Sequence, residues 1–484
     1  MSKSFEKKGL TKKSENISDW YHDVVLRAGL AEYGEVKGTI IIKPTGYAIW
    51  EKVQKVLDGW FKEDGVQNVY FPMFIPHSLL KKEKEHLEGF SPELAIVEHA
   101  GGEKLSEPLV VRPTSETIMY KAFVNWIQSH RDLPLKINQW CNVVRWEKRT
   151  YPFLRTSEFL WQEGHTVHRT EEEAEAMALK ALNWYRQFYE EYFGISIYAG
   201  LKSKGETFAG AKRTYSIEMV MPDGKALQAS TSHNLSDNFS KVFGIQFLDE
   251  TGQSVNPFQT SWGLSTRAIG GLVLIHGDDS GLILPPAVAP HQIVIIGIAK
   301  NEEAESRVTS AVQDLSNKLK VGGNRVIADV DFRKTLGFRI NDWELKGVPI
   351  RIEVGQKELE AGVVTMVRRD TMEKKQVQMD QVETEVHVLL KEIQQAMLDR
   401  STQSKQALTM EASEIHDFKR ILDEKKVFVR VPWCEDTECE KRIKADTKAT
   451  PRVLELDRMN ENEDLKCFAC GQKAHRHWLF AQSY

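Results

Sequence analysis

The chain has 484 residues, 41% hydrophobic and 28% charged, enough for two or three domains with separate cores. A formal net charge of −4 excludes nucleic-acid binding through bulk basicity, so any RNA contact has to come from local patches. No stretch approaches the roughly 18 apolar residues of a membrane span, and the lysine-rich segment Met1–Ser18 lacks the apolar core of a signal peptide, which points to the cytoplasm.

In chain order, Tyr47–Trp60 (YAIWEKVQKVLDGW) sets Ile49, Val53, Val56, Leu57 and Trp60 on one face and predicts an amphipathic helix. Strand-like runs follow at Ile137–Trp146 and Phe159–His168. Thr170 with Glu173 then signals a capping box, and Gly194 stops the helix of about two dozen residues between them. Tyr215–Met221 and Ala226–Ser230 read as further strands. Helices set apart from a cluster of strands predict an α+β domain, an antiparallel sheet with helices packed on it, over residues 1–288.

The composition shifts at Leu282–Pro290 (LILPPAVAP), where three prolines in six residues mark a boundary. Beyond it the elements alternate. His291–Ala299 reads as a buried strand, Glu302–Leu319 as a helix, Arg325–Val330 as a strand, Leu336–Leu345 as a helix and Pro349–Val354 as a strand. This alternation predicts an α/β domain with a mixed sheet over residues 289–400. From about Ser401 a polar helix leads into a small α+β tail, residues 401–484, that holds four of the five cysteines. Cys434-x4-Cys439 and Cys467-x2-Cys470-Gly, 27 residues apart, have the spacing of four thiolate ligands to a structural Zn²⁺. A metal-free relic and disulfides are the alternatives, and His475 and His477 are possible substitute ligands. Cys141, among apolar neighbours, reads as an inert core thiol.

Four segments say more. RPTSET (Arg112–Thr117), WCNVVRWEKRTYPFLRTSEFLWQEGHTVH (Trp140–His168), QASTSH (Gln228–His233) and SWGLSTRAIGGLVLIHGDDSGLILPP (Ser261–Pro286) closely resemble prolyl-tRNA synthetases, and the resemblance covers nearly the whole chain. It implies the class II catalytic fold, with YFPMFIP around Pro72 as the dimer-forming motif 1, the Arg145 segment as motif 2 and the Arg267 helix as motif 3. It further implies a homodimer, the substrates L-proline, ATP and tRNA(Pro), assisting Mg²⁺, and the archaeal- and eukaryote-like branch that carries a C-terminal zinc domain. In that branch the terminal tyrosine carboxylate, here Tyr484, reaches toward the catalytic domain, although a frayed end is the default for most chains.

The chemistry explains the residue types. Activation is attack of a carboxylate on the α-phosphorus of ATP, and an α-carboxyl is already ionised at neutral pH, so no general base is required. One anion must approach another, which calls for fixed cations and in-line positioning. The resemblance gives Arg145 the bridge between carboxylate and α-phosphate and Arg267 the far end of the nucleotide. Guanidinium suits both tasks as a planar, permanently charged fork. Adenine is expected between Phe159 and Arg267, Glu147 and Thr156 on the base, Arg155 on the phosphates, and Glu218 as the Mg²⁺ ligand with Gln228 nearby. For each arginine the bland reading is a surface ion pair.

For the amino acid, the resemblance implies Thr114 and Glu116 on the proline amine and Thr231 and His233 closing the pocket. The ring is expected among Trp161, Glu163, His165 and Phe208. The alternative is that Trp161 and Phe208 are core aromatics and His165 a satisfied buried histidine. Alternation in LWQEGH nevertheless puts Trp161, Glu163 and His165 on one strand face, and a carboxylate with an imidazole is not plain core.

The second domain resembles the anticodon-binding domain of class II synthetases, most clearly in GFRINDWELKGVPIRIEVGQKELEAGVVTMVRRD. Glu344 and Arg351 match positions that read two guanines, with an ion pair between them as the alternative. Arg368 and Arg369 are candidates for added phosphate contacts, with a solvated charge pair at a strand end as the usual alternative. The interval Ser157–Thr260 is 104 residues and filled by predicted elements, which leaves no room for a cis-editing insertion. The rival functions are a catalytically reduced regulatory paralogue and a threonyl or glycyl relative.

Overall fold

The computed structural model describes residues 9–81 and 94–484, so the first eight residues of the lysine-rich segment lie outside it. The expected helix is present as Pro44–Glu63, with Ile49, Val53 and Leu57 fully buried. Thr170 caps the helix Glu171–Glu191 by accepting from the Glu173 amide at 3.2 Å. The Glu173 carboxylate returns to the amide of Arg169, one residue outside the reciprocal capping box. Ala174, Ala178, Ala181, Leu182, Tyr185 and Tyr189 form the buried stripe that this helix lays on the sheet.

The sheet has eleven strands, and at its centre antiparallel pairing runs through Ile197–Leu201, Arg213–Val220, Ala226–Ser236, Phe258–Ser265, Glu158–His168 and Leu135–Val144. The short edge strand Gln67–Asn68 joins Leu135–Val144 in parallel. Alternation sorts the functions of the strand Glu158–His168. Trp161, Glu163 and His165 face one cavity, while Gln162 accepts from Tyr185 of the helix behind at 2.6 Å. Gly164 lies beneath the Trp262 indole, where a Cβ would approach to 2.3 Å, so this cross-strand pair requires glycine.

The boundary segment leads into a five-stranded sheet in the order Val326–Asp329, Ile293–Ile298, Ile350–Gly355, Val363–Arg368, Lys374–Gln378, parallel across the first three and antiparallel beyond. The mixed sheet is as expected. Its packing helix, Val382–Ala407, continues through the expected 400/401 boundary, and the polar helix read from Ser401 is its last turns. Residues beyond a periodic stripe give no signal for where a helix changes partners, and this one straps both domains: Ser401 accepts from the amide of Ser196 at 3.0 Å and Lys405 donates to the carbonyl of Ile197 at 3.0 Å.

The tail is built on the same large sheet. Strands Thr409–Glu411, Phe428–Trp433, Arg476–Ala481 and Thr450–Glu455 extend it, the last pairing with Ile197–Leu201. Gly200 makes that junction possible, because a Cβ there would sit 2.0 Å from the carbonyl oxygen of Leu454. Tyr198, Val220 and Ala226 accordingly belong to the same apolar core as Phe428, Trp478 and Phe480.

Arg368 and Arg369 correct the alternative of a solvated pair. Arg368 forks onto Asp370, and Arg369, 4% exposed, forks onto Asp278 at 2.6 and 2.8 Å while donating to the Glu344 carbonyl. Asp278 lies 91 residues earlier in the chain, so the pair clasps the anticodon-type domain to the end of the catalytic part. Among the described residues, no helix is long and apolar enough to cross a membrane.

Candidate active site

Two adjoining cavities open on the central sheet. One, of about 280 Å³, gathers Thr114, Glu116, Arg145, Phe159, Trp161, Glu163, His165, Phe208, Gln228, Thr231, His233 and Arg267, residues spread over 154 positions of sequence. The other, of about 560 Å³, holds Glu147 and Arg155 and shares Glu206, Gln228 and Arg267 with the first. Thr156 is buried beside them, its hydroxyl donating to the Glu158 carbonyl at 2.7 Å.

The strand Leu135–Val144 delivers Arg145 one residue past its end, and its Nε donates to the Pro113 carbonyl at 3.0 Å. The guanidinium carbon lies 5.5 Å from the Phe159 ring and 5.4 Å from the Trp161 ring, a cation held against two aromatic faces. Arg267 is the first residue of the helix Arg267–His276 and donates to the carbonyls of Leu154 at 2.9 Å and Gln228 at 3.5 Å. A cation at a helix N-terminus opposes the macrodipole, so this placement adds positive potential to the cavity at a small cost in stability. Burial, then the neighbouring Arg145 and Arg155, pulls the Arg267 guanidinium below its ordinary pKa. Arg155 and Glu147 are paired with one another at 2.7 Å across the intervening turn.

The smaller cavity is braced from behind. Glu163, 2% exposed, accepts from Ser115 at 2.5 Å and Gln139 at 2.9 Å, with His165 Nε2 at 3.3 Å. Burial works against its charge, but His165 and those donors outweigh it and hold the carboxyl below the usual range. Thr114 donates to Glu116 in a short bond. Burial and His165 lower His233 to about 3, so it is neutral, and its Nδ1 pairs with Thr214 Oγ1 at 2.9 Å beside the Phe208 ring, 4.7 Å away. Cys141 is half-buried and not a core thiol: its Sγ accepts from Trp161 at 3.2 Å beside Glu163, and burial and that carboxylate push the thiol up to about 12. Ser115, Gln139, Tyr120 and Glu206 were not singled out by sequence reading. Ser115 sits within RPTSET, and Gln139 lies in register opposite Glu163, a relation visible only once strands pair.

Glu218 departs from its expected role. It is fully buried, absent from both cavity linings, and its oxygens accept from Arg452 at 2.9 and 3.2 Å and Ser216 at 2.9 Å, with Lys202 at 3.5 Å. A carboxylate so enclosed does not fit a magnesium ligand facing phosphates. Its partner Arg452 is 234 residues away, which no local pattern announces.

Glu344 and Arg351 are brought together, at 2.6 Å, with Glu353 also on Arg351 at 2.9 Å. The four tail cysteines converge: Cys434 Sγ lies 3.6 Å from Cys470 Sγ, Cys439 Sγ lies 3.9 Å from Cys467 Sγ, and all lie within 4.8 Å of one another. A tetrahedron with Zn–S of about 2.3 Å requires S···S of about 3.8 Å, whereas a disulfide requires about 2.05 Å. The thiol set fits a zinc ion without help from His475 or His477, which bond to Glu463 and Glu461. Tyr484 is docked: its amide donates to the Ala226 carbonyl at 3.1 Å, its ring lies under Lys225 at 4.7 Å, and it lines the larger cavity.

Comparison with known proteins agrees with this layout. Residues 97–276 match the class II tRNA synthetase core domain (G, H, P, S and T), residues 292–389 the anticodon binding domain, and residues 415–484 the family described as prolyl-tRNA synthetase, C-terminal. The chain is 47% identical to proline–tRNA ligase 2 of Bacillus cereus over 98% of both chains, and 47% identical to the proline–tRNA ligase of Natranaerobius thermophilus over all of both. It is likewise 47% identical to the proline–tRNA ligase of Acetoanaerobium sticklandii over 99% of this chain and 98% of that one. With its three units matched in order and its relatives aligned end to end, the chain belongs to the prolyl-tRNA synthetases, a family of class II aminoacyl-tRNA synthetases.

Proposed function

We propose that this chain is a proline–tRNA ligase that converts L-proline and ATP to prolyl-adenylate and passes the prolyl group to the 3′ end of tRNA(Pro). The carrying observation is that a small aromatic-walled cavity with a buried carboxylate opens onto a larger one, with Arg267 and Gln228 at the junction and Arg145 in the smaller. The size and charge suit proline in the first and a nucleotide in the second.

In this reading Glu116 and Thr114 take the proline amine, and Trp161, His165, Phe208, Thr231 and His233 enclose the ring, with Glu163 bracing His165. Arg145 neutralises the meeting carboxylate and α-phosphate. Arg267 faces the adenine stack with Phe159. Glu147, Arg155, Thr156 and Gln228 complete the nucleotide side, which requires the Glu147–Arg155 pair to open when phosphates arrive. Nothing need remove a proton from the nucleophile, so rate depends on charge placement and alignment. Arg351 and Glu344 read the guanines of the anticodon by exchanging their mutual bond for base edges. The three units divide at about 288 and about 400, and the exposed Tyr70 (72%) and Phe74 (43%) support a dimer surface at motif 1. The protein works in the cytoplasm.

Zinc, when bound by Cys434, Cys439, Cys467 and Cys470, supplies a closed structural cross-link with no open position for catalysis. Metal analysis of protein purified without chelator is expected to give one equivalent per chain; under a tenth, with four freely titrating thiols, contradicts the assignment. The interval Ser157–Thr260 is occupied by the sheet strands and the helix Glu171–Glu191, which supports a ligase without a cis-editing insertion. Alanine, smaller than proline by a margin worth about 1 to 3 kcal/mol, is then activated measurably. The purified enzyme is expected to leave preformed alanyl-tRNA(Pro) at the buffer rate of hydrolysis. The test of the main reading is charging of a tRNA(Pro) transcript with labelled proline, where absence of ATP-dependent product would refute it.

A further inference from the structure

The segment that joins strands Ile197–Leu201 and Arg213–Val220 carries Glu206, which lines both cavities, and Phe208, whose ring lies 4.7 Å from that of His233, tilted against it. Within the turn Ser203–Phe208 the Glu206 amide donates to the Ser203 carbonyl at 3.1 Å, Thr207 Oγ1 to the same carbonyl at 2.7 Å, and the Phe208 amide to Thr214 Oγ1 at 2.9 Å, while the far end of the segment is tied to Asn234 and Asn238. Phe208 packs on Phe239 of the catalytic part, and the turn before it is backed by the C-terminal unit. Glu440, on the helix Thr437–Thr447, presses both carboxylate oxygens against Gly205, so that a Cβ there would lie 2.8 and 2.9 Å from them.

Beneath the turn lies a cluster of charges, whose Arg452 also lines the larger cavity. Lys202, buried, has no hydrogen-bond acceptor and is shared between Glu206 at 3.7 Å and Glu218 at 3.5 Å. Arg452, from the strand Thr450–Glu455, forks onto Glu218, so two cations meet two carboxylates. Without Arg452, Glu218 would be left with excess buried charge, and Lys202 would be drawn to it and away from Glu206. The position of Glu206, at the junction of the two cavities, thus depends through Lys202 and Glu218 on Arg452, a residue of the C-terminal unit.

We propose that Arg452 and Glu440 of the C-terminal unit are positioning residues of the activation site, fixing the turn Ser203–Phe208 and with it Glu206 and Phe208. The inference rests on the adenylation reading above. It is tested on the full-length protein with Arg452→Met, Arg452→Lys and Glu440→Ala, by proline-dependent pyrophosphate exchange normalised to titrated active sites. Arg452→Met and Glu440→Ala are expected to raise the KM for proline on the order of tenfold or more, as displaced positioning groups do, with Arg452→Lys recovering most of the loss. Hydrogen exchange of the 202–208 segment is expected to accelerate in Arg452→Met and Glu440→Ala, a readout independent of activity. Unchanged protection of that segment, or an unchanged KM with only the fraction of competent sites reduced, overturns the proposal. Wild-type protein inactive with proline would instead count against the ligase reading, while the exchange measurement would still decide this one.

Discussion

Arg267 in the cavity and Arg351 in the anticodon-type domain are held in opposite ways. Arg267 is anchored by the carbonyls of Leu154 and Gln228, neutral partners that fix a guanidinium without cancelling its charge, whereas Arg155 nearby is paired with Glu147. In the other domain Arg351 is locked to Glu344 and Glu353, Arg339 to Asp329, and Arg369 to Asp278. A cation anchored by carbonyls keeps its field for an incoming anion. One paired with carboxylates must first break a bond, which costs rate but adds discrimination, since only a ligand with matching donors and acceptors repays the loss. The first arrangement suits polyphosphate chemistry and the second suits reading bases.

Substitutions at the two kinds of arginine break the comparison most directly. Arg145→Ala is expected to abolish adenylate formation in a folded protein, at a cost on the order of 3 kcal/mol or more, the scale of a lost oxyanion donor. Near-normal exchange in a folded variant would remove Arg145 from the chemistry. Arg351→Met is expected to act on tRNA alone, lowering kcat/KM for tRNA(Pro) by about 1 to 3 kcal/mol while leaving pyrophosphate exchange within about twofold. Equal loss in both assays would make Arg351 a structural residue.

Acid separates the regions further. Burial holds His168 and His276 at about 4 and His233 at about 3, against 6.5 for a free imidazole, and all three lie in the catalytic part. Between pH 6.5 and about 4 the unfolded chain therefore binds protons that the native state refuses, and stability falls as pH falls. At pH 5.5 each contributes a loss of about 1 kcal/mol. The urea midpoint followed by tryptophan fluorescence is expected to drop between pH 7.5 and 5.5; a constant or rising midpoint would contradict neutral burial.

Much of this was legible in the chain. The helix Pro44–Glu63, the strand Glu158–His168 and the proline-rich boundary follow from periodicity and turn chemistry, because burial leaves its mark residue by residue. The cavity lining was legible through motif order, since Arg145 and Arg267 stand in segments whose surroundings are distinctive. Arg452 with Glu218, and Arg369 with Asp278, were not. A single ion pair between distant positions has no period, and an isolated arginine looks the same whether it meets solvent or a buried carboxylate. Gly200 is similar: its role appears only when the strand Thr450–Glu455 is laid beside it.

The central claim, that Arg145 and Arg267 at a proline-sized pocket perform amino-acid activation, is tested most directly by ATP–pyrophosphate exchange on the purified wild-type protein with each of the twenty amino acids. Proline is expected to support the fastest exchange, alanine and cysteine a slower one, and threonine and glycine none above background. Exchange driven best by another amino acid, or by none, would contradict it.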